Sequence, residues 1–139
     1  MILLDTNVIS ETMRAAPDAR VMTWLHRQPP HDLGMPVVVL AELHYGAERL
    51  DEGRRKEGYR VALRHVAEVV FSGRVVPFDI EAARLFGVLM ANRHRGGRPM
   101  GIADGQIAAI ALANNARLAT RDGDFADCGI EIINPWTLS

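Results

Sequence analysis

The segment Ile2-Leu3-Leu4-Asp5-Thr6-Asn7 constrains the fold more than any other part of the chain. Three consecutive apolar residues stop at an acid, and the residues that follow are of the types that cap helices. A strand with no polar side chain on either face has to be covered on both, as the central strands of parallel sheets are. The segment therefore predicts a buried strand entering a helix.

The rest of the chain repeats that alternation. Residues 19–28 carry Val21, Trp24 and Leu25 at helical spacing and stop at Pro29-Pro30. After Pro36, residues 37–50 form a long helical stretch, and Tyr59, Ala62, Leu63, Val66 and Val70 place an apolar stripe on the next helix. Arg74-Val75-Val76-Pro77 has the character of a strand, followed by a helix over about 80–92 with Ala82, Leu85, Phe86 and Leu89 on one face. The run Arg93-His94-Arg95-Gly96-Gly97-Arg98-Pro99 is expected to be a loop. Residues 102–114 are predicted helical, 117–120 a strand, and 130–133 a last strand ended by Asn134-Pro135. Strands that alternate with helices, with no tight hairpin signal between them, predict an α/β fold: a three-layer sandwich with a mostly parallel central sheet flanked by helices. At 139 residues and 48% hydrophobic, one domain over residues 1–139 is expected.

Charge and cysteine content remove several classes of function. A formal net charge of −1 argues against nucleic-acid binding by bulk positive charge, though not against a local site. Fifteen of the 16 basic residues are arginine, with Lys56 the one lysine, in a charged run expected to be exposed. Cys128 is the one cysteine, which leaves no internal disulfide and no cysteine-based zinc cluster. The residues around Met1 lack a basic leader, and no apolar run approaches the roughly 18 residues of a membrane span. A soluble cytoplasmic protein with no membrane partner is expected.

Four acids carry the chemistry. Asp5 and Asp122 follow strands, so in a parallel sheet they share a rim, where ligands of such folds bind. Asp104 heads a helix face shared with Ile107, Ala108 and Ala111, where it is partly desolvated. Glu42 lies on a helix apolar nearly all round, with no basic residue one turn away, and its buried face is ambiguous. Each acid also has a structural reading: Asp5 as a helix cap, Asp104 as an acid near a positive helix end, Glu42 as a solvated residue, Asp122 as a turn former. Together they differ, because converging carboxylates repel and take up protons unless a cation holds them. Mg²⁺, with Mn²⁺ as a substitute, accepts such oxygen ligands and suits phosphodiester hydrolysis.

The blocks Ile2-Leu3-Leu4-Asp5-Thr6-Asn7-Val8, Val39-Leu40-Ala41-Glu42-Leu43-His44-Tyr45-Gly46, Ile102-Ala103-Asp104-Gly105-Gln106-Ile107-Ala108-Ala109 and Ala119-Thr120-Arg121-Asp122 resemble, in order, those of PIN-domain proteins. The resemblance is closest to the VapC and FitB-like toxin branch, where Asn134-Pro135-Trp136 also recurs. It implies a metal-dependent endoribonuclease with Asp5, Glu42, Asp104 and Asp122 as its catalytic and metal-holding acids. Asp5 and Asp104 would be direct ligands, Glu42 and Asp122 would complete the shell, and Thr6 and Thr120 would supply supporting hydrogen bonds. It further implies an RNA substrate, a homodimer, and a cognate small antitoxin that inserts into the active-site groove and joins a higher assembly. One spacing departs from the family: only Gly123 separates Asp122 from Asp124-Phe125, so the fourth acid is either Asp122 or Asp124.

Two other readings stand beside this one. The first is a catalytically silent PIN-like binding module. The second is a phosphomonoesterase of the haloacid dehalogenase type, which wants an aspartate at position 7, where Asn7 stands, and a lysine near the phosphate. The five histidines form no metal-binding pair, and Gly96-Gly97 lacks a nucleotide-binding pattern. Arg93, Arg95 and Arg98 are candidates for contact with an RNA backbone or an acidic antitoxin segment, or for a solvated loop.

Overall fold

The computed structural model describes residues 1–138. Its strands are β1 (Ile2–Leu4), β2 (Leu33–Pro36), β3 (Val75–Val76), β4 (Arg117–Ala119) and β5 (Ile132–Ile133). Its helices are α1 (Thr6–Thr12), α2 (Ala19–Arg27), α3 (Val37–Glu48), α4 (Arg54–His65), α5 (Ile80–Arg95) and α6 (Ile102–Ala113). The strands form one sheet in the order β3-β2-β1-β4-β5, every pair parallel, and with its flanking helices it is the expected α/β sandwich.

β1 lies at the centre, its three side chains buried, as a strand apolar on both faces must. The chain lays β2 and β3 on one side of β1 and then crosses to the other side for β4 and β5. The winding thus reverses between β1 and β4, and in an open parallel sheet the crevice beyond the strand ends opens at such a reversal. Asp5 leaves β1 and Thr120-Arg121-Asp122 leave β4 at this point.

Local chemistry sets the helix starts. Asp5, Asp18 and Asp79 each accept a backbone N–H of the helix they precede, at 2.8, 2.8 and 2.9 Å. α6 has no side-chain cap, and most of its length is buried, from Gly105 through Ala111 with the exception of Gln106. A Cβ at Gly105 would lie 2.5 Å from Met90 Sδ and 3.0 Å from Phe86 Cε2, so the glycine lets α5 close onto α6 one residue after Asp104.

Four local expectations are corrected. β2 was not foreseen, because Leu33-Gly34-Met35-Pro36 has a weak strand signature. It pairs with both β1 and β3, and Gly34 fits closely there, since a Cβ would stand 2.8 Å from Met1 Sδ and 3.0 Å from Leu3 Cδ2 and those side chains would have to shift. The expected loop from Arg93 begins later: α5 runs through Arg95, its basic last turn favoured by the negative helix end. The last strand, expected over 130–133, is limited to Ile132–Ile133, which pair with Leu118 and Ala119 of β4. Lys56 is buried, its ammonium 2.8 Å from Glu52.

Candidate metal centre

Asp5 is 4% exposed, and both oxygens of its carboxylate accept hydrogen bonds from the chain around it. Oδ1 accepts the Thr6 N–H at 2.8 Å, and Oδ2 accepts the Thr120 hydroxyl at 2.7 Å and the Asn7 amide at 3.3 Å. Thr120 Oγ1 is also the acceptor for Asn7 Nδ2 and for the Asp122 N–H, both at 3.0 Å. With two N–H groups directed at it, the single hydroxyl proton goes to Asp5. Thr120 thereby ties the ends of β1 and β4 together.

Glu42 reaches this rim from α3, where its Oε1 accepts the Thr6 hydroxyl at 2.9 Å. That contact resolves which way its helix face points. Asp104 stands in the first turn of α6. Asp122 caps a short 3₁₀ turn, Gly123–Phe125, its Oδ1 accepting the Asp124 N–H at 2.9 Å. The turn is anchored by buried Phe125 below and by Arg93, whose guanidinium donates to the carbonyls of Ala126 at 2.9 Å and Asp124 at 3.2 Å. One carboxylate oxygen each from Asp104, Asp122 and Asp124 lies within 4.8 Å of the others. The shortened spacing therefore brings Asp122 and Asp124 to the same place rather than exchanging one for the other.

The electrostatics of the cluster are those of unneutralised acids. Burial, and then the charges of Asp122, Asp5, Glu42 and Asp124, push the Asp104 carboxyl up to about 6. Burial also raises Asp5, opposed by the hydrogen bonds from Thr120 and Thr6 and reinforced by Glu42 and Asp122. Among the described residues no basic nitrogen lies within 4.0 Å of any of the five carboxylates. Arg121, adjacent in sequence to Asp122, instead holds its guanidinium 4.5 Å over the Trp136 ring. Three clustered carboxylates with Asp5 and Glu42 beside them, no nitrogen or sulfur ligand and mutual repulsion fit a hard divalent cation such as Mg²⁺ or Mn²⁺; Asp5, expected to be a direct ligand, and Glu42 lie outside the group of three.

The structural readings of Asp5 and Asp122 hold at the same time as the clustering: each caps a following turn with one oxygen and faces the other acids. Asn7, Arg93 and the Arg121–Trp136 stack were not assigned these parts from sequence. Asn7 was detectable two residues after Asp5, whereas nothing local marks Arg93. Of the three basic residues near the expected loop, Arg93 bonds the turn, Arg98 pairs with Asp127 at 2.9 Å, and Arg95 bonds Asn92. Lys56, tied to Glu52 and near Glu48, leaves the phosphomonoesterase reading without its lysine.

The PIN domain family model matches residues 2–130. VapC ribonuclease Y4jK of Sinorhizobium fredii is 41% identical over 137 residues, covering 98% of both chains. Toxin FitB of Neisseria gonorrhoeae is 36% identical over 98% of this chain and 99% of its own. In three dimensions the chain superimposes on the crystal structure of FitAcB from Neisseria gonorrhoeae with a TM-score of 0.92 and 37% identity, covering 99% of this chain and 100% of that one.

Proposed function

This chain belongs to the PIN domain family, and from that premise we propose that it is a divalent-metal-dependent endoribonuclease, the toxin of a VapBC-type toxin–antitoxin pair. The observation that carries the reading is the convergence of Asp104, Asp122 and Asp124 within 4.8 Å, with Asp5 and Glu42 near enough for their charges to act on Asp104 and no basic nitrogen within 4.0 Å of these acids among the described residues. Asp104, Asp122 and Asp124 would hold the ion, Mg²⁺ or Mn²⁺, with Asp5 and Glu42 closing its remaining sides. When bound, such a cation supplies charge against the phosphodiester and lowers the pKa of attached water.

The chain's own residues keep the acids in place for that task. Thr120, Asn7 and the Thr6 N–H fix the Asp5 carboxylate in one orientation, and the Thr6 hydroxyl fixes Glu42. The Arg121 guanidinium lies over the Trp136 ring rather than against the acids, which leaves their charge for the cation. The similarity to a protein named as a toxin supports a small cognate antitoxin as partner and a cytoplasmic site of action, where RNA is met.

The test is cleavage of single-stranded RNA by the purified protein. Cleavage is expected with Mg²⁺ or Mn²⁺, to stop in excess EDTA and to return when the metal is restored. Undiminished cleavage in EDTA overturns the proposal.

A further inference from the structure

A groove of about 340 Å³ has Glu42, one of the acids, on its wall. Thr6 and Glu42 form one end, Leu43 and Gly46 line its α3 side, and Arg55 and Tyr59 of α4 form the far end. A second hollow of about 490 Å³ adjoins it, sharing Met13, Arg55 and Tyr59, and continues past Arg54 and Gly58 to His65. Adjoining through the three shared residues, the two hollows make a trough beside α4 with Glu42 on its wall.

The charges of α4 are sorted about this trough. Lys56 bonds Glu52, and Arg60 bonds Glu48 and Glu57. Arg54 and Arg55, which line the trough, have no carboxylate within 4.0 Å among the described residues. Among the described residues, Glu42 is the one acid on the walls of either hollow. The Arg55 guanidinium lies 5.9 Å from the centre of the Tyr59 ring, so a forked phosphate donor and an aromatic face stand side by side. At Gly46 and Gly58, both inside helices, a Cβ would meet nothing within 4 Å. Glycine weakens a helix interior, and no packing demands it at either place. What it leaves open is the trough.

We propose that this trough is the track for single-stranded RNA, with Arg54 and Arg55 on the backbone phosphates and Tyr59 stacking a base, the nucleotides lying beside the bond to be cut. The proposal rests on the ribonuclease reading above. A duplex, its bases turned inward, offers Tyr59 no face to stack on.

The experiment measures binding of a short fluorescein-labelled single-stranded RNA by anisotropy over a range of salt, with Ca²⁺ in place of Mg²⁺, alongside cleavage in Mg²⁺. An Arg54→Ala, Arg55→Ala double variant is expected to bind about tenfold more weakly, with the slope of log affinity against log salt lower by about 0.7 for each phosphate no longer neutralised. Gly46→Leu, whose Cβ meets nothing within 4 Å and whose longer side chain takes up groove space, is expected to weaken binding to a similar extent while its Tm does not fall. Wild-type affinity in both variants, with the wild type still cleaving RNA, overturns the track and leaves the ribonuclease reading standing. No cleavage by the wild type overturns both. Variants that keep RNA affinity but no longer form a complex with the cognate antitoxin give the trough to that protein and likewise overturn the proposal.

Discussion

At the scale of single residues, Asp104 distinguishes a metal ligand from a structural acid. In the folded, metal-free chain its carboxyl holds a proton up to about 6, against an ordinary value of 3.8. Between those values the folded state binds more protons than the unfolded one, so stability falls as pH rises through this window, and the whole penalty is present above it. Asp104→Asn removes the penalty. In EDTA near neutral pH the variant is expected to be more stable by about 1 kcal/mol, the shift being discounted for a partly exposed side chain, with Tm higher by about 3 °C. The two proteins should converge near pH 4, where Asp104 is protonated in the folded state. Added Mg²⁺ should raise the Tm of the wild type and leave the variant nearly unmoved, and RNA cleavage by the variant should be abolished. Melting curves across pH, with and without Mg²⁺, check this. A variant that melts below wild type in EDTA at neutral pH makes Asp104 structural.

At the scale of elements, the site depends on a helix end that carries no ligand. The last turn of α5 puts Arg93 against the carbonyls of Asp124 and Ala126, and this holds the turn bearing Asp122 and Asp124 against α6. Arg93→Ala frees that turn. The expected cost is about 1–2 kcal/mol in stability, as for the removal of charged hydrogen bonds, and about tenfold in Mg²⁺ affinity, as for other supports of metal ligands. Arg95→Ala, two residues on, removes only a bond to Asn92 and should change stability by less than about 0.5 kcal/mol. Thermal melting and calorimetric Mg²⁺ titration of both variants make the comparison. Equal effects of the two substitutions count against a positioning role for Arg93.

At the scale of the whole molecule, large apolar side chains stand outside the one core. Ile80 is 90% exposed, Ile102 68%, and Val69 61%. A two-fold homodimer is the expected arrangement, and light scattering at micromolar concentration should give twice the 15.3 kDa of one chain. A mass of one chain overturns it. The layered architecture was legible in the sequence because its causes are local: an apolar strand that stops at a capping acid, apolar stripes at helical spacing, prolines that end helices. Those same causes put Asp5 and Asp122 on one rim, since every strand of a parallel sheet ends on the same side. Other features were decided by docking. β2, with its glycine and proline, exists because it pairs with β1 and β3, and Gly34 leaves room there for the Met1 and Leu3 side chains. Glu42 faces the site through a hydroxyl 36 positions away, and Asp5 is oriented by one 115 positions away. Arg93 and the burial of Lys56 were decided in the same way, as was the joining of Asp124 to Asp104 and Asp122. Propensity and spacing act over a few residues, so the sequence by itself determined the elements other than β2 and the acids at their ends. Which acids converge, and what holds them there, depends on contacts between segments far apart in the chain, and only the packed tertiary structure brings those segments within hydrogen-bonding distance.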